Sequence, residues 1–288
     1  MELESKGYDL TIEVNDFDLS YDDVGKGEIP FIFLHGFPFN KNMWRNQLEF
    51  LKSTNRAIAC DIRGFGESRD EETSLSIDMF AEDLIKFMGK MDIKKAILCG
   101  LSMGGFIALN AMKRFPDRFE ALILCDTNCL ADTEESKQKR YNIIDEIAVS
   151  GVADFNESFI KSVFHPNTFN YKKEIVDNLR SVVFSNSRNI ITMGLSALAE
   201  RTETCSFLNK ISIPTLIICG REDEVTPLAQ SEFMHDNIDH SELGILDNAG
   251  HVSNLEKPHE FNQLILSFLT NLRGVDLEDI MQDKSMAE

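Results

Sequence analysis

The sequence predicts an α/β protein built on a mostly parallel β-sheet that is flanked by helices and carries an inserted helical cap. Three observations support this fold class. Short apolar runs recur along the chain, helical patterns separate them, and the alternation stops once for about ninety residues. With 288 residues, of which 43% are hydrophobic, the chain can bury the core of one large domain with a subdomain inserted in it.

The first strands are expected as a pair at 10–15 and 18–22, with a turn around Asp16. Buried strands follow at 31–34, 56–60, 95–99, 121–125 and 215–219, and a last strand is expected at 242–246. The buried runs do not alternate with polar residues, which is typical of parallel strands that are covered on both faces.

Two helices can be assigned between these strands. One apolar face recurs at helical spacing from Ile77 to Met88, and Ser76 is placed to cap its N-terminus. The second helix should run from about Met103 until Pro116 stops it.

The interruption lies between the strands at 121–125 and 215–219 and contains several helical patterns, among them ESFIKSVF, KKEIVDNLRSVVF and RNIITMGLSALAE. We therefore expect an α/β core at 1–127 and 209–273, a helical cap insertion at 128–208, and an acidic C-terminal tail at 274–288.

The charge balance excludes some partners. Lys and Arg total 29 against 48 Asp and Glu, a formal net charge of −19 that repels nucleic acid and anionic membranes. The N-terminal MELESKGYDL lacks the pattern of a secretory signal, and no apolar run approaches the ~20 residues that span a bilayer. These features predict a cytoplasmic protein that binds neither nucleic acid nor membrane.

The six cysteines show no metal-ligand spacing. Four of them end apolar strand-like runs, whereas Cys129 and Cys205 lie in polar stretches. We interpret all six as reduced thiols, as expected in a reducing cytoplasm.

A candidate nucleophile stands where the strand at 95–99 meets the following helix. The sequence Gly100-Leu101-Ser102-Met103-Gly104 fits G-x-S-x-G in its strand–turn–helix context. Such a sharp turn strains the serine backbone and crowds the residues on either side, which explains why Gly100 and Gly104 are small.

Two backbone N–H groups are candidates for an oxyanion hole. The N–H of Met103 lies at the positive end of the helix that follows Ser102. The second donor should be Phe37, in the loop His35-Gly36-Phe37-Pro38 after the strand at 31–34. We expect His35 to hydrogen-bond this loop into shape and not to act as a base.

A serine nucleophile needs a histidine base, usually oriented by a carboxylate. His251 lies on a loop after the last strand, at the sheet edge where Ser102 is expected. Asp223, just past the strand at 215–219, is the favoured acid because turns on both sides fix its loop. Asp126, at the end of 121–125, is its rival.

The order Ser102, Asp223, His251 resembles that of the α/β-hydrolase fold superfamily, and the resemblance runs from about Phe31 to Leu272. It is carried by the segments HGFP at 35–38, DIRGFGES at 61–68, GLSMGG at 100–105, GREDEVTP at 220–227 and AGHVSNLEKP at 249–258. The stretches MGLSALAERTET and SNLEKPHEFN are most similar to small esterases that include 3-oxoadipate enol-lactonases.

The resemblance implies an eight-stranded sheet, a helical cap and no metal or other cofactor. Relatives that displace halide or open epoxides have an aspartate where Ser102 stands, so a serine points to acyl transfer. The implied substrate is a small or medium carboxylic ester, or a lactone. Two alternatives stay open: a carbon–carbon bond hydrolase with the same three residues, and a binding protein without activity.

The insertion should supply the substrate pocket. Its large apolar side chains are Phe155, Phe159, Phe164, Phe169, Phe184, Met193 and Leu195, of which two or three should touch substrate and the rest should pack the cap. A lactone that carries a second carboxylate would need a buried cation, for which the insertion offers Arg140, Arg180, Arg188 and Arg201.

Overall fold

A computed structural model describes residues 7–71 and 74–273. Eight strands within these ranges form one sheet: β1 (Gly7–Val14), β2 (Phe17–Val24), β3 (Phe31–Leu34), β4 (Ala57–Cys60), β5 (Ala96–Leu101), β6 (Phe119–Cys125), β7 (Thr215–Gly220) and β8 (Ser241–Leu246). The strand order is β1-β2-β4-β3-β5-β6-β7-β8, antiparallel for β1–β2 and β2–β4 and parallel elsewhere. The predicted fold class is confirmed.

The described helices are α1 (Arg45–Leu51), α2 (Ile77–Lys90), α3 (Met103–Arg114), α4 (Glu134–Ser150), α5 (Ala153–Val163), α6 (Thr168–Tyr171), α7 (Lys173–Ser185), α8 (Arg188–Ala199), α9 (Leu228–Asn237), α10 (Ser253–Glu256) and α11 (Pro258–Arg273). Helix α2 begins as predicted, since the Ser76 hydroxyl accepts from the N–H of Met79 over 3.2 Å. None of the helices in the described ranges is both long and apolar enough to cross a membrane.

The sheet separates two apolar cores because the residues of its central strands alternate between its faces. On one side, Leu98 and Leu122 pack with side chains of α2 and α3, among them Phe87. On the other side, Ile97 and Ile123 lie in the core that includes Trp44 and the α11 residue Phe261. With both faces covered, every residue of β3, β4, β5 and β7 is buried.

Helices α4 to α8 occupy the long interruption between β6 and β7, where no strand is found among the described residues. The three helical patterns of the sequence correspond to α5, α7 and α8. Helix α4 lacked such a signal because only Ile147 of its residues is buried, so that its sequence shows little periodicity. The acidic tail expected at 274–288 lies outside the described residues.

The prediction that all six cysteines are reduced is wrong for two of them. Cys129 and Cys205 form a disulfide between the two ends of the insertion, with a Cα–Cα distance of 4.8 Å and 76 residues of sequence separation. Their separation along the chain concealed the pair, which the fold brings together where the insertion leaves and rejoins the core. The disulfide removes the support that six reduced cysteines would have given to a cytoplasmic location. The other four cysteines are free and buried.

Candidate active site

The structure brings Ser102, Asp223 and His251 together at the carboxyl edge of the sheet, where they follow β5, β7 and β8 respectively. The Ser102 Oγ lies 2.8 Å from Nε2 of His251, and Nδ1 of His251 lies 2.8 Å from Oδ2 of Asp223. All three residues are buried, with His251 only 2% exposed. The three side chains therefore form one continuous hydrogen-bonded chain.

The backbone at Ser102 is strained. Its φ of 54° and ψ of −115° are unusual for a residue with a side chain. The turn is possible because Gly100 and Gly104 face each other: a Cβ on Gly100 would lie 2.2 Å from the carbonyl oxygen of Gly104. A Cβ on Gly104 would in turn lie 2.3 Å from the carbonyl oxygen of Leu34. The tight turn presents the Ser102 hydroxyl toward His251.

The loop after β7 holds the Asp223 carboxylate. Its Oδ1 accepts the backbone N–H groups of Val225 and Thr226 over 2.8 and 2.9 Å. Its Oδ2 accepts the Thr226 hydroxyl over 2.8 Å, besides facing His251. Sequence reasoning used Thr226 only as part of a turn, whereas the structure gives it a direct bond to the acid.

Electrostatics at the site stabilise a negative charge on Asp223 and a positive charge on His251 when the imidazole takes up a proton. Burial opposes charge on both groups. The charge of the partner and the hydrogen bond between the two side chains together outweigh this effect of burial. The pKa of His251 is consequently raised above its ordinary value, and the pKa of Asp223 is lowered. An imidazole that takes up a proton here is therefore stabilised.

Asp126, the rival acid, makes different contacts. Its Oδ1 accepts the N–H of Gly220 over 2.8 Å, and its Oδ2 is bonded to the Ser253 hydroxyl over 2.6 Å. Burial and the neighbouring Asp223 carboxylate raise the pKa of Asp126 to about 8. The geometry thus gives the contact with the imidazole to Asp223, while Asp126 joins the end of β7 to the loop after His251.

The two expected oxyanion donors lie beside Ser102. Met103 is the first residue of α3 and follows the serine directly. Phe37 lies after β3, the neighbour of β5, and its loop passes close to the serine: a Cβ on Gly36 would lie 3.1 Å from the Ser102 Cβ. The Phe37 side chain lines the cavity described below.

His35 has a structural role in this loop. Its Nε2 accepts the N–H of Ile62 over 2.9 Å, and its Nδ1 donates to the carbonyl oxygen of Gly36 over 2.8 Å. Burial lowers its pKa. The 61–68 segment is likewise a brace, because Asp61 accepts the backbone N–H groups of Lys41 and Glu67.

A cavity of about 480 Å³ lies between the core and the insertion and reaches both Ser102 and His251. Of the seven large apolar residues predicted for the pocket, Phe155, Phe159 and Leu195 line it. The others do not. Phe164 and Phe169, for example, pack against each other with ring centroids 5.8 Å apart.

Two of the four candidate arginines, Arg140 and Arg201, line this cavity. Both contact the buried carboxylate of Asp132, each over 2.6 Å. The guanidinium of Arg201 also lies over the ring of Phe106, 4.4 Å from its centroid. The cavity therefore has a cationic region whose charge is reduced by the protein's own carboxylate. Arg180, by contrast, pairs with Glu157.

The possible ligands for a metal ion that lie together in the described ranges are Asp126, Cys219 and Asp223, all buried. Every carboxylate oxygen of this group already accepts at least one hydrogen bond from Gly220, Ser253, Val225, Thr226 or His251. Burial and nearby carboxylates raise the pKa of the Cys219 thiol, which disfavours the thiolate that a metal requires. This donor set fits a hydrogen-bond network better than a metal centre.

The family model of the alpha/beta hydrolase fold matches residues 29–258 of this chain. Together with the strand order and the strand–turn–helix at Ser102, this match shows that the protein belongs to the α/β-hydrolase family. The five segments from HGFP at 35–38 to AGHVSNLEKP at 249–258 all lie within the matched range.

Several enzymes of known name are similar to this chain over most of its length. A 3-oxoadipate enol-lactonase of Acinetobacter baylyi is 30% identical over 256 residues, which are 88% of this chain and 94% of that protein. An esterase from Thermogutta terrifontis, solved with malate bound, is 29% identical with a TM-score of 0.86, over 91% of this chain and 98% of that one. The enol-lactonase of Burkholderia xenovorans shares the fold. It is 23% identical with a TM-score of 0.84, over 91% of this chain and 100% of that one.

Proposed function

We propose that the protein is a serine hydrolase that cleaves carboxylic esters with small to medium acyl or alcohol groups. The observation that carries this proposal is the unbroken chain of 2.8 Å hydrogen bonds from Ser102 through His251 to Asp223. An esterase and an enol-lactonase among the similar proteins support the same reaction class.

The reaction starts with neutral His251, whose Nδ1–H donates to Asp223 and whose Nε2 accepts the Ser102 proton. The freed Oγ attacks the ester carbonyl carbon, and the N–H groups of Met103 and Phe37 stabilise the oxyanion. The imidazolium then gives its proton to the leaving alcohol, which leaves an acyl group on Ser102. Water, deprotonated by the same imidazole, releases the acid and restores the serine.

The cavity supports substrates of modest size. Its volume of about 480 Å³ suits a small organic ligand, and it combines apolar walls with a few polar groups. Phe37, Phe155 and Phe159 pack together with centroids about 6 Å apart and offer an aromatic wall near Ser102. A short or medium acyl chain would be desolvated there.

The cationic region favours a second candidate, a lactone or ester whose far end carries a carboxylate. Arg140 is the cavity arginine to test, because its side chain is 29% exposed whereas that of Arg201 is 6% exposed. Arg140→Gln should lower kcat/KM for the p-nitrophenyl monoester of succinic acid more than for p-nitrophenyl butyrate. Equal losses on both substrates would argue against a carboxylate subsite.

The main proposal is tested with Ser102→Ala. Turnover of p-nitrophenyl butyrate should fall by about 10⁶-fold, as when such nucleophiles are removed elsewhere. Ser181→Ala removes an exposed serine hydroxyl from α7 and serves as the matched control, which should keep wild-type kinetics. Folded Ser102→Ala with activity near wild type would refute the proposed mechanism.

A further inference from the structure

The helical insertion is hydrogen-bonded to the loop that carries His251. The backbone N–H of His251 itself donates to the carbonyl oxygen of Val163, the last residue of α5, over 2.9 Å. Neither Val163 nor its neighbours His165 and Thr168 are among the residues that line the cavity. This contact therefore acts on the position of His251 and does not form part of the substrate pocket.

A second link runs through Glu256, the last residue of α10, which is only 1% exposed. Its Oε1 accepts the N–H of His165 over 2.9 Å and also the hydroxyl of Thr168. Its Oε2 accepts the N–H of Gly250 over 2.6 Å. One buried carboxylate thus receives two donors from the insertion and one from the residue directly before His251.

Gly250 shows how closely the insertion approaches this loop. A Cβ at this position would lie 2.8 Å from the nitrogen of His165 and 3.0 Å from the carbonyl oxygen of Val163. Contacts this short cannot form without moving backbone, so a glycine is required where the two segments meet. The close packing and the hydrogen bonds of Glu256 are independent observations of the same junction.

We propose that Glu256 is a positioning residue that couples the location of His251 to the seating of residues 163–168 of the insertion. The inference rests on the proposed function, since it takes His251 to be the base. Glu256 reaches the reaction only through the backbone at Gly250 and the insertion. A displacement of about 1 Å between catalytic groups can cost about 100-fold in rate, so a modest shift of this loop would be measurable.

Glu256→Gln is the informative change because it alters one bond and keeps the shape. The amide oxygen can still accept from His165 and Thr168, but the amide NH₂ then faces the N–H of Gly250, and two donors oppose each other. The loop before His251 must shift, while the cavity keeps its lining. We expect kcat for p-nitrophenyl butyrate to fall about 10- to 100-fold with KM within about 2-fold of wild type.

Glu260→Gln is the matched control, since it makes the same chemical change on an exposed residue of α11 and should leave both constants unchanged. Thr168→Val is the second variant, which removes one donor to Glu256 from the insertion side with little change in volume. It should lower kcat in the same sense, by a smaller factor, and provides a test if Glu256→Gln does not fold.

Folded Glu256→Gln and Thr168→Val proteins with wild-type kcat would overturn the inference. So would a loss of rate that matches the loss of folded protein in circular dichroism, because that pattern is expected of a purely structural residue. Ser102→Ala measured in the same series separates the two proposals. If it abolishes activity while Glu256→Gln does not reduce it, only the positioning role fails; if it retains activity, the proposed function fails.

Discussion

Asp126 and Asp223 follow neighbouring strands at the same edge of the sheet, yet only Asp223 contacts the imidazole of His251. Burial, together with the nearby charge of Asp223, raises the pKa of Asp126 to about 8. The raised pKa of Asp126 favours its protonated form, whereas the lowered pKa of Asp223 favours its carboxylate. This division of roles gives the first prediction.

Asp223→Asn should lower kcat by about 10⁴-fold, the scale seen when a buried triad acid becomes an amide, because the imidazole loses the partner that fixes its tautomer. Asp126→Asn should cost less than about 10-fold, since an amide resembles the protonated acid and can still accept from Gly220. Steady-state kinetics of the two variants and the wild type on one ester measures both losses of kcat. A larger loss for Asp126→Asn would reverse the assignment of the acid.

The pH dependence of kcat/KM should show an acid limb set by His251. Protonated imidazole cannot accept the Ser102 proton, and the pKa of His251 is raised in the folded protein. The midpoint should therefore lie above pH 6.5, the ordinary pKa of histidine, with activity lost as the pH falls through it. A profile that is flat between pH 5 and 8 would indicate another base.

The Cys129–Cys205 disulfide should stabilise the fold. It closes a loop with 76 residues of separation, for which the chain-entropy model gives about 4.5 kcal/mol. The double variant Cys129→Ser, Cys205→Ser should show a lower Tm than the oxidised wild type, and reductant should lower the Tm of the wild type alone.

Thiol titration provides a direct check on this pair. Unfolded wild type without reductant should show the four free thiols and, after reduction, all six cysteines. Six thiols before reduction, in protein purified under oxidising conditions, would contradict the disulfide.

Activity should be independent of divalent metal ions. The carboxylate oxygens of Asp126 and Asp223 are already engaged in hydrogen bonds, and the mechanism proposed for Ser102 needs no Lewis acid. Dialysis against EDTA should leave kcat and KM unchanged, with untreated enzyme as the control. A loss of activity that added Zn²⁺ or Mg²⁺ restores would require a different mechanism.

Sequence alone could predict the sheet and the position of Ser102, because both depend on local patterns. Parallel strands appear as apolar runs, and the turn at Ser102 requires glycines at fixed offsets. The choice between Asp126 and Asp223 was harder, because both follow buried strands. It depended on turn residues near Asp223, whose contribution through Thr226 is visible only in three dimensions.

Two sets of contacts between distant segments, the Cys129–Cys205 disulfide and those of Glu256, escaped prediction. Cys129 and Cys205 show no informative spacing, and only the path of the insertion brings them together. Glu256 appeared as one acidic residue in a polar stretch, and nothing nearby in sequence indicated partners at 165 and 168. Such contacts depend on how the insertion lies on the core, which local propensity does not determine.

The insertion leaves and rejoins the core at Cys129 and Cys205, whose Cα atoms are only 4.8 Å apart. The insertion could therefore be replaced by another helical segment whose two ends lie equally close together. Such a replacement would not require β6 and β7 to move apart. The transplanted segment would, however, need to bring its own acceptor for the backbone amide of His251, which Val163 now provides. We therefore expect this contact with the His251 loop, and not the attachment at Cys129 and Cys205, to decide whether such a graft is tolerated.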